Sequence, residues 1–177
     1  MFRNVLVGLS LTPRSERPLR EAIELADQHH GRLTILTVLP ECRSCAFGPI
    51  ETCTAARDVS DDLWRTGQAA QRAALEQVPA CLPVSTLLLQ GSAWSCLMRE
   101  LRGERHDSLV VGASGRSRLS RLLHRSFDDR LTRWSPVPVL VVPPEGPTDL
   151  YVSRAARRRG ARTRLARDPR GSGAPQR

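Results

Sequence analysis

The 177-residue chain contains no lysine; all 27 of its basic residues are arginine. That absence excludes a Schiff base, a pyridoxal-phosphate anchor and a P-loop ending in Gly-Lys-Ser/Thr, each of which needs the lysine amine. No apolar run approaches the ~20 residues that a transmembrane helix requires. The amino terminus, MFRNVLVGLSLTP, is apolar only from Val5 to Leu11 and meets Arg14, Glu16 and Arg17 without a small-residue cleavage site. It therefore reads as a strand rather than a secretory leader. A soluble cytoplasmic protein is expected, with its five cysteines reduced rather than joined in a disulfide framework. A nucleophile, base and orienting group are nowhere set together, and His106 and His124 stand without a motif, so no enzyme active site is expected.

What is present is unevenly spread. The formal net charge is +9, yet residues 1–150 hold 18 Arg against 17 Asp and Glu, while residues 151–177 hold nine Arg and only Asp168. The body is nearly neutral and the basic character belongs to the tail. This predicts a domain over residues 1–146 and an arginine-rich, disordered tail over 147–177, because a like-charged stretch with few apolar residues cannot bury enough surface to fold alone. Such a tail offers an electrostatic surface to nucleic acid or an anionic membrane, but no aromatic interleaving or recognition module accompanies it.

Apolar periodicity alternates between two kinds. Asn4–Leu9, Arg32–Leu39, Val84–Gln90, Ser108–Val111 and Val137–Val142 read as strands. Ser15–His30, Asp58–Val78, Ala93–Arg102 and roughly Phe127–Trp134 read as helices, with Gly31 expected as a left-handed cap and Gly103 closing the third. Residues 40–57 carry proline, glycine and three cysteines without a sustained period and read as a long loop. Five strands with helical crossovers predict an open parallel sheet with helices on both faces, a Rossmann-like α/β fold.

The most specific stretch is Leu109 to Val142. A buried run ends on Gly112; Gly115 follows at the third position, Ser126 eleven residues later, and Pro136, Pro138, Val139, Leu140, Val141 and Val142 close it. This resembles the signature of the universal stress protein family: Gly, two residues, Gly, nine residues, Gly-Ser/Thr, then a P-x-P-V-L-V-V strand. Arg125 stands where the third glycine belongs. The resemblance covers about residues 1–143. It implies strand order 3-2-1-4-5, a cytoplasmic stress-response module acting through protein partners, and a homodimer paired through the last strand. Val137, Val139, Leu140, Val141 and Val142 suit that pairing, since an apolar edge strand needs a cover.

The resemblance also implies a nucleotide site at the carboxyl ends of the first and fourth strands. Gly8, Leu9 and Ser10 would face Val111, Gly112 and Gly115, with Val38 beside the base and Arg116, Arg125, Ser126 and Phe127 on the phosphate side. Ser10 falls where nucleotide-binding members carry an acidic residue, and its hydroxyl lacks a carboxylate's charge and reach. Arg125 in place of glycine costs ~1–2 kcal/mol if a positive φ is needed there. Arg116, Arg118, Arg121 and Arg125 nevertheless present guanidinium groups that bind phosphate without backbone help. ATP is the ligand such a site would take; with two positions altered, the pocket reads as degraded and no cofactor is assigned.

Two other features carry chemistry in principle. Cys42 and Cys45 form a C-x-x-C with Cys53 eight residues on, a weak zinc or redox pattern that lacks a fourth ligand nearby. Asp128 and Asp129 are adjacent, so on a helix they point to different faces and read as favourable amino-terminal charges rather than a catalytic pair. Cys81 and Cys96 read as small apolar residues.

Overall fold

The computed structural model describes residues 2–11, 16–41, 50–113, 127, 130–143, 148–153 and 156–157, with the backbone alone over 50–58. The elements are β1 (Asn4–Leu9), α1 (Glu16–Gln28), β2 (Arg32–Leu39), α2 (Ile50–Leu75), β3 (Val84–Gln90), α3 (Ala93–Arg102), β4 (Ser108–Gly112), β5 (Val139–Val142) and β6 (Asp149–Tyr151). They build one sheet in the order β3-β2-β1-β4-β5-β6. The first five strands pair in parallel, and β6 runs antiparallel to β5. The expected order 3-2-1-4-5 is present, with a sixth strand added outside β5.

Strand alternation sorts the core into two layers. Val5, Val7, Leu9, Leu33, Ile35 and Val110 meet α1 (Leu19, Ala22, Ala26) and α2 (Ala74). Leu6, Leu36, Leu109, Val111, Val139 and Val141 face the other way, onto Leu97, Met98 and Leu101 of α3 and onto Leu131. Residues 127 and 130–134 are helical, as the sequence predicts, although 128 and 129 lie outside the described residues.

α1 ends differently from the expectation. His30, not Gly31, takes the left-handed conformation (φ 48°). Gly31 N–H then donates to Ala26 O at 2.8 Å and His30 N–H to Asp27 O at 3.0 Å, the paired bonds of a Schellman motif. Gly31 is required for another reason: a Cβ there would lie 2.6 Å from Arg3 O. Glu104 (φ 59°) likewise takes the turn after α3, while Gly103 stays at φ −64°.

α2 starts at Ile50 rather than Asp58, so Cys53 lies in a helix and not in the loop. Residues 50–57 carry no glycine or proline, and extending a formed helix costs far less than nucleating one. Its last residue is Leu75 rather than Val78. Gln77 N–H bonds Ala74 O and Val78 N–H bonds Leu75 O at 3.2 and 3.1 Å, tight turns that wind the chain down before Pro79.

The amino-terminal edge of the sheet is clamped by Asp107. Its carboxylate accepts from the Arg3 and Asn4 amides at 2.8 and 3.1 Å, and its own amide donates to Asn4 O at 3.0 Å. This sets β1 against β4 in the register Gly8 opposite Val111, so their carboxyl ends finish side by side.

The last two strands correct the sequence reading most. Val137 precedes β5 instead of opening it: it is buried, its amide bonds Ser135 Oγ, and Ser135 Oγ–H donates to its carbonyl. Asp149–Tyr151, placed in the tail by composition, pairs along β5 with Leu140 opposite Leu150. Val139, Leu140 and Val141 therefore do not form a free edge in this structure. The signal was a short run of strand formers, Leu150, Tyr151 and Val152, following turn residues Pro143, Pro144, Gly146 and Pro147.

Candidate functional site at the carboxyl end of the sheet

The order reverses between β2-β1 and β4-β5, and in open α/β sheets the crevice at such a point takes ligands. Of the residues singled out from the sequence, Gly8, Val38, Val111 and Phe127 come together on the α3 side. The Cβ direction of Gly8 points at Val111 Cγ1 and Leu97 Cδ2, 3.4 and 4.0 Å away, which fixes its face. Leu9 alternates to the other layer and is buried beneath α1. Ser10, one residue on, is exposed at the end of β1. Gly115, Arg116, Arg125 and Ser126, with Arg118, Arg121 and His124, lie outside the described residues.

Gly112 also serves the opposite layer. A Cβ on it would come within 2.9 Å of Pro18 Cγ, so the helix α1 packs directly on its bare backbone. The next amide, that of Ala113, donates to Val142 O at 2.8 Å and extends the sheet. The end of β4 is thus engaged in tertiary packing on both counts.

The shared face holds an aromatic pair. Trp94, in the first turn of α3, stands one turn before Leu97 and Met98 and so projects from the same helical face. Its ring meets Phe127 edge-on, with centroids 6.5 Å apart at 81°. The Arg130 guanidinium lies over it, 4.3 Å from the ring centroid. Such cation–π contacts are worth ~0.5–1 kcal/mol at exposed positions. Neither Trp94 nor Arg130 was assigned to the site from the sequence; their meeting joins two segments 36 positions apart, so no local pattern announces it.

The catalytic chemistry of the described residues is sparse. No group of three His, Cys, Asp or Glu residues is placed to hold a metal ion among them. Cys42 and Cys45 lie outside the described residues, as does the Cys53 side chain. Cys96 is buried and Cys81 exposed, both as free thiols. Among the described residues, His106 is the titratable group held away from its ordinary pKa: burial pushes it below 6.5, against the upward pull of Glu100 and Asp107. It precedes β4 and so belongs to the opposite end of the sheet from Trp94. No described helix is long and apolar enough to cross a membrane.

A parallel sheet whose strand order reverses between β1 and β4, with helices packed on both faces, defines an open α/β protein. The family model for the universal stress protein family matches residues 1–143, and the chain belongs to that family. Among solved structures, the universal stress protein UspA from Lactobacillus plantarum superposes with a TM-score of 0.67 at 19% identity, over 80% of this chain and 97% of that one. A hypothetical protein solved as a test case of structural genomics gives 0.67 at 16% identity, over 83% and 99%. A universal stress protein in complex with cAMP gives 0.52 at 21% identity, over 81% and 98%. At these identities the likenesses bear on the fold. No curated protein sequence matches the chain.

Proposed function

We propose that this universal stress protein is a non-enzymatic, cytoplasmic stress-response module that acts through protein partners and whose nucleotide pocket is curtailed. The observation that carries this reading is the stack of Arg130 on Trp94 on Phe127, which occupies the α3 face beside Gly8, Val38 and Val111. An aromatic face already covered by a guanidinium is not free to receive a base. Ser10 in place of an acidic residue removes a charged partner for the ligand, and Arg125 stands in place of the signature's third glycine. The engagement of Gly112 with Pro18 and of the Ala113 amide with Val142 supports the same reading.

Calorimetric titration of the purified chain with ATP, with and without magnesium, tests it. No heat up to millimolar ATP is expected, and cAMP titrated alongside is expected to behave likewise. Micromolar binding of either nucleotide overturns the curtailed pocket. It would then favour a switch in which nucleotide occupancy orders the segment from Gly112 to Ser126.

A further inference from the structure

An unpaired β5 would present a row of free amides and carbonyls beside apolar side chains, a template for another strand. In this structure the chain covers that row itself, and it does so with dedicated fastenings. Arg17 of α1 donates from Nη1 to Pro143 O at 2.8 Å, where the chain leaves β5. Four positions after Arg17 on the same helix face, Glu21 accepts from Thr148 Oγ1 at 3.3 Å, where the chain enters β6. Helix α1 thus holds both ends of the 143–148 connection. Beyond β6, Ser153 is buried and its hydroxyl donates to the carbonyl of Ser135, which is fully buried. The same Ser153 oxygen accepts from the Ala156 amide at 3.0 Å, and Ala156 is buried too.

These contacts join residues 148–153 to three separate parts of the body: α1, β5 and the segment before β5. A passing adhesion of a tail to an edge would show the ladder alone. Buried hydroxyls that each find a partner, as Ser135 and Ser153 do, mark a seat shaped for its occupant.

We propose that residues 148–153 are a built-in strap that occupies the edge of β5 in place of a second copy of this chain. The strap's advantage is its tether. A strand joined through so short a connection is present at an effective concentration of roughly millimolar. A second copy at micromolar concentration is therefore outcompeted about a thousandfold for the same edge. The strap closes the sheet within one polypeptide, and the pairing through the last strand that the sequence suggested requires the strap to leave.

The opposed pair Leu140 and Leu150 gives the test in the full chain. Four of the five native cysteines are replaced by serine and buried Cys96 by alanine, and Leu140→Cys and Leu150→Cys are introduced. Opposed antiparallel residues have Cα atoms about 4.5–5.5 Å apart, within the range a disulfide spans. Mild oxidation is expected to give an intrachain bond in most molecules at 1 and at 100 micromolar alike (both being roughly ten- to a thousandfold below the tether's effective concentration). Light scattering of the unmodified chain is expected to give a single-chain mass. A bond that forms only between chains, no bond at all, or a native dimer that oxidation of the pair dissociates would each overturn the proposal. As a variant that leaves the strands intact, Ser153→Ala added to this background is expected to slow intrachain bond formation several-fold. An unchanged rate would remove the Ser153–Ser135 contact from the strap.

Discussion

Pro18 sits against the bare backbone of Gly112: a Cβ on residue 112 would lie 2.9 Å from the proline Cγ. The pair joins the first turn of α1 to the last residue of β4, and it gives Gly112 a structural duty that holds with or without a ligand. Gly112→Ala is expected to lower stability by about 1–3 kcal/mol through overpacking. Gly8→Ala, whose new methyl group would meet neighbours at 3.4 to 4.0 Å, is expected to change it by less than about 1 kcal/mol. Urea denaturation of both variants in the absence of nucleotide checks the contrast; equal effects would sink it.

Asp107 fastens the amino-terminal edge of the sheet through the Arg3 and Asn4 amides. Asp107→Ala strands both donors at a partly exposed site and is expected to cost about 1–3 kcal/mol. Hydrogen exchange should then quicken first at Arg3 and Asn4, because the rest of β1 remains laddered on both sides. A loss of protection spread evenly over the sheet would contradict a local clamp.

His106 is buried, and its Nδ1 has no hydrogen-bond partner. Burial holds its folded pKa below 6.5, so below that pH the unfolded chain takes up the proton first. The sign follows: stability is full above pH 6.5, falls as pH drops toward the folded pKa, and falls no further from this group below it. The slope from one such group is at most ~1.4 kcal/mol per pH unit. His106→Leu is expected to flatten the profile between pH 7 and 5 (about the range in which an ordinary histidine titrates) without loss of stability at neutral pH, since it also removes the unpartnered nitrogen. Thermal melts across the range decide it.

Ser10 and Arg125 are the two departures from the nucleotide-binding members' pattern that the sequence itself shows. Restoring them together, Ser10→Asp with Arg125→Gly, is expected to raise ATP affinity at least about tenfold, or ~1.4 kcal/mol. Calorimetry reads the gain directly. Unchanged affinity in the double variant would place the obstruction elsewhere, with Trp94 and Arg130 the next positions to alter.

Legibility in the sequence followed distance along the chain. β1, β2, β3 and α3 have the bounds their apolar patterns predict, because a strand or a short amphipathic helix writes its period into consecutive residues. The first turns of α2 were missed, since the sequence of residues 50–57, IETCTAAR, carries no sustained apolar period. The left-handed turn was assigned to Gly31 when His30 takes it, because composition shows that a glycine is needed but not why. Half of the described candidate site was legible as a shared face: Gly8, Val38, Val111 and Phe127 meet, while Leu9 and Gly112 turn to the other layer as a period of two requires.

By itself the sequence determined the class of fold, the family signature and the absence of lysine chemistry, for these are properties of local runs and of composition. The tertiary structure decided how the same residues are used. It set Pro18 against Gly112, Arg130 over Trp94, Asp107 beneath β1, and Leu150 against Leu140. Each of those pairs closes a loop that no local periodicity encodes, and each is settled by which surfaces fit once the sheet has formed.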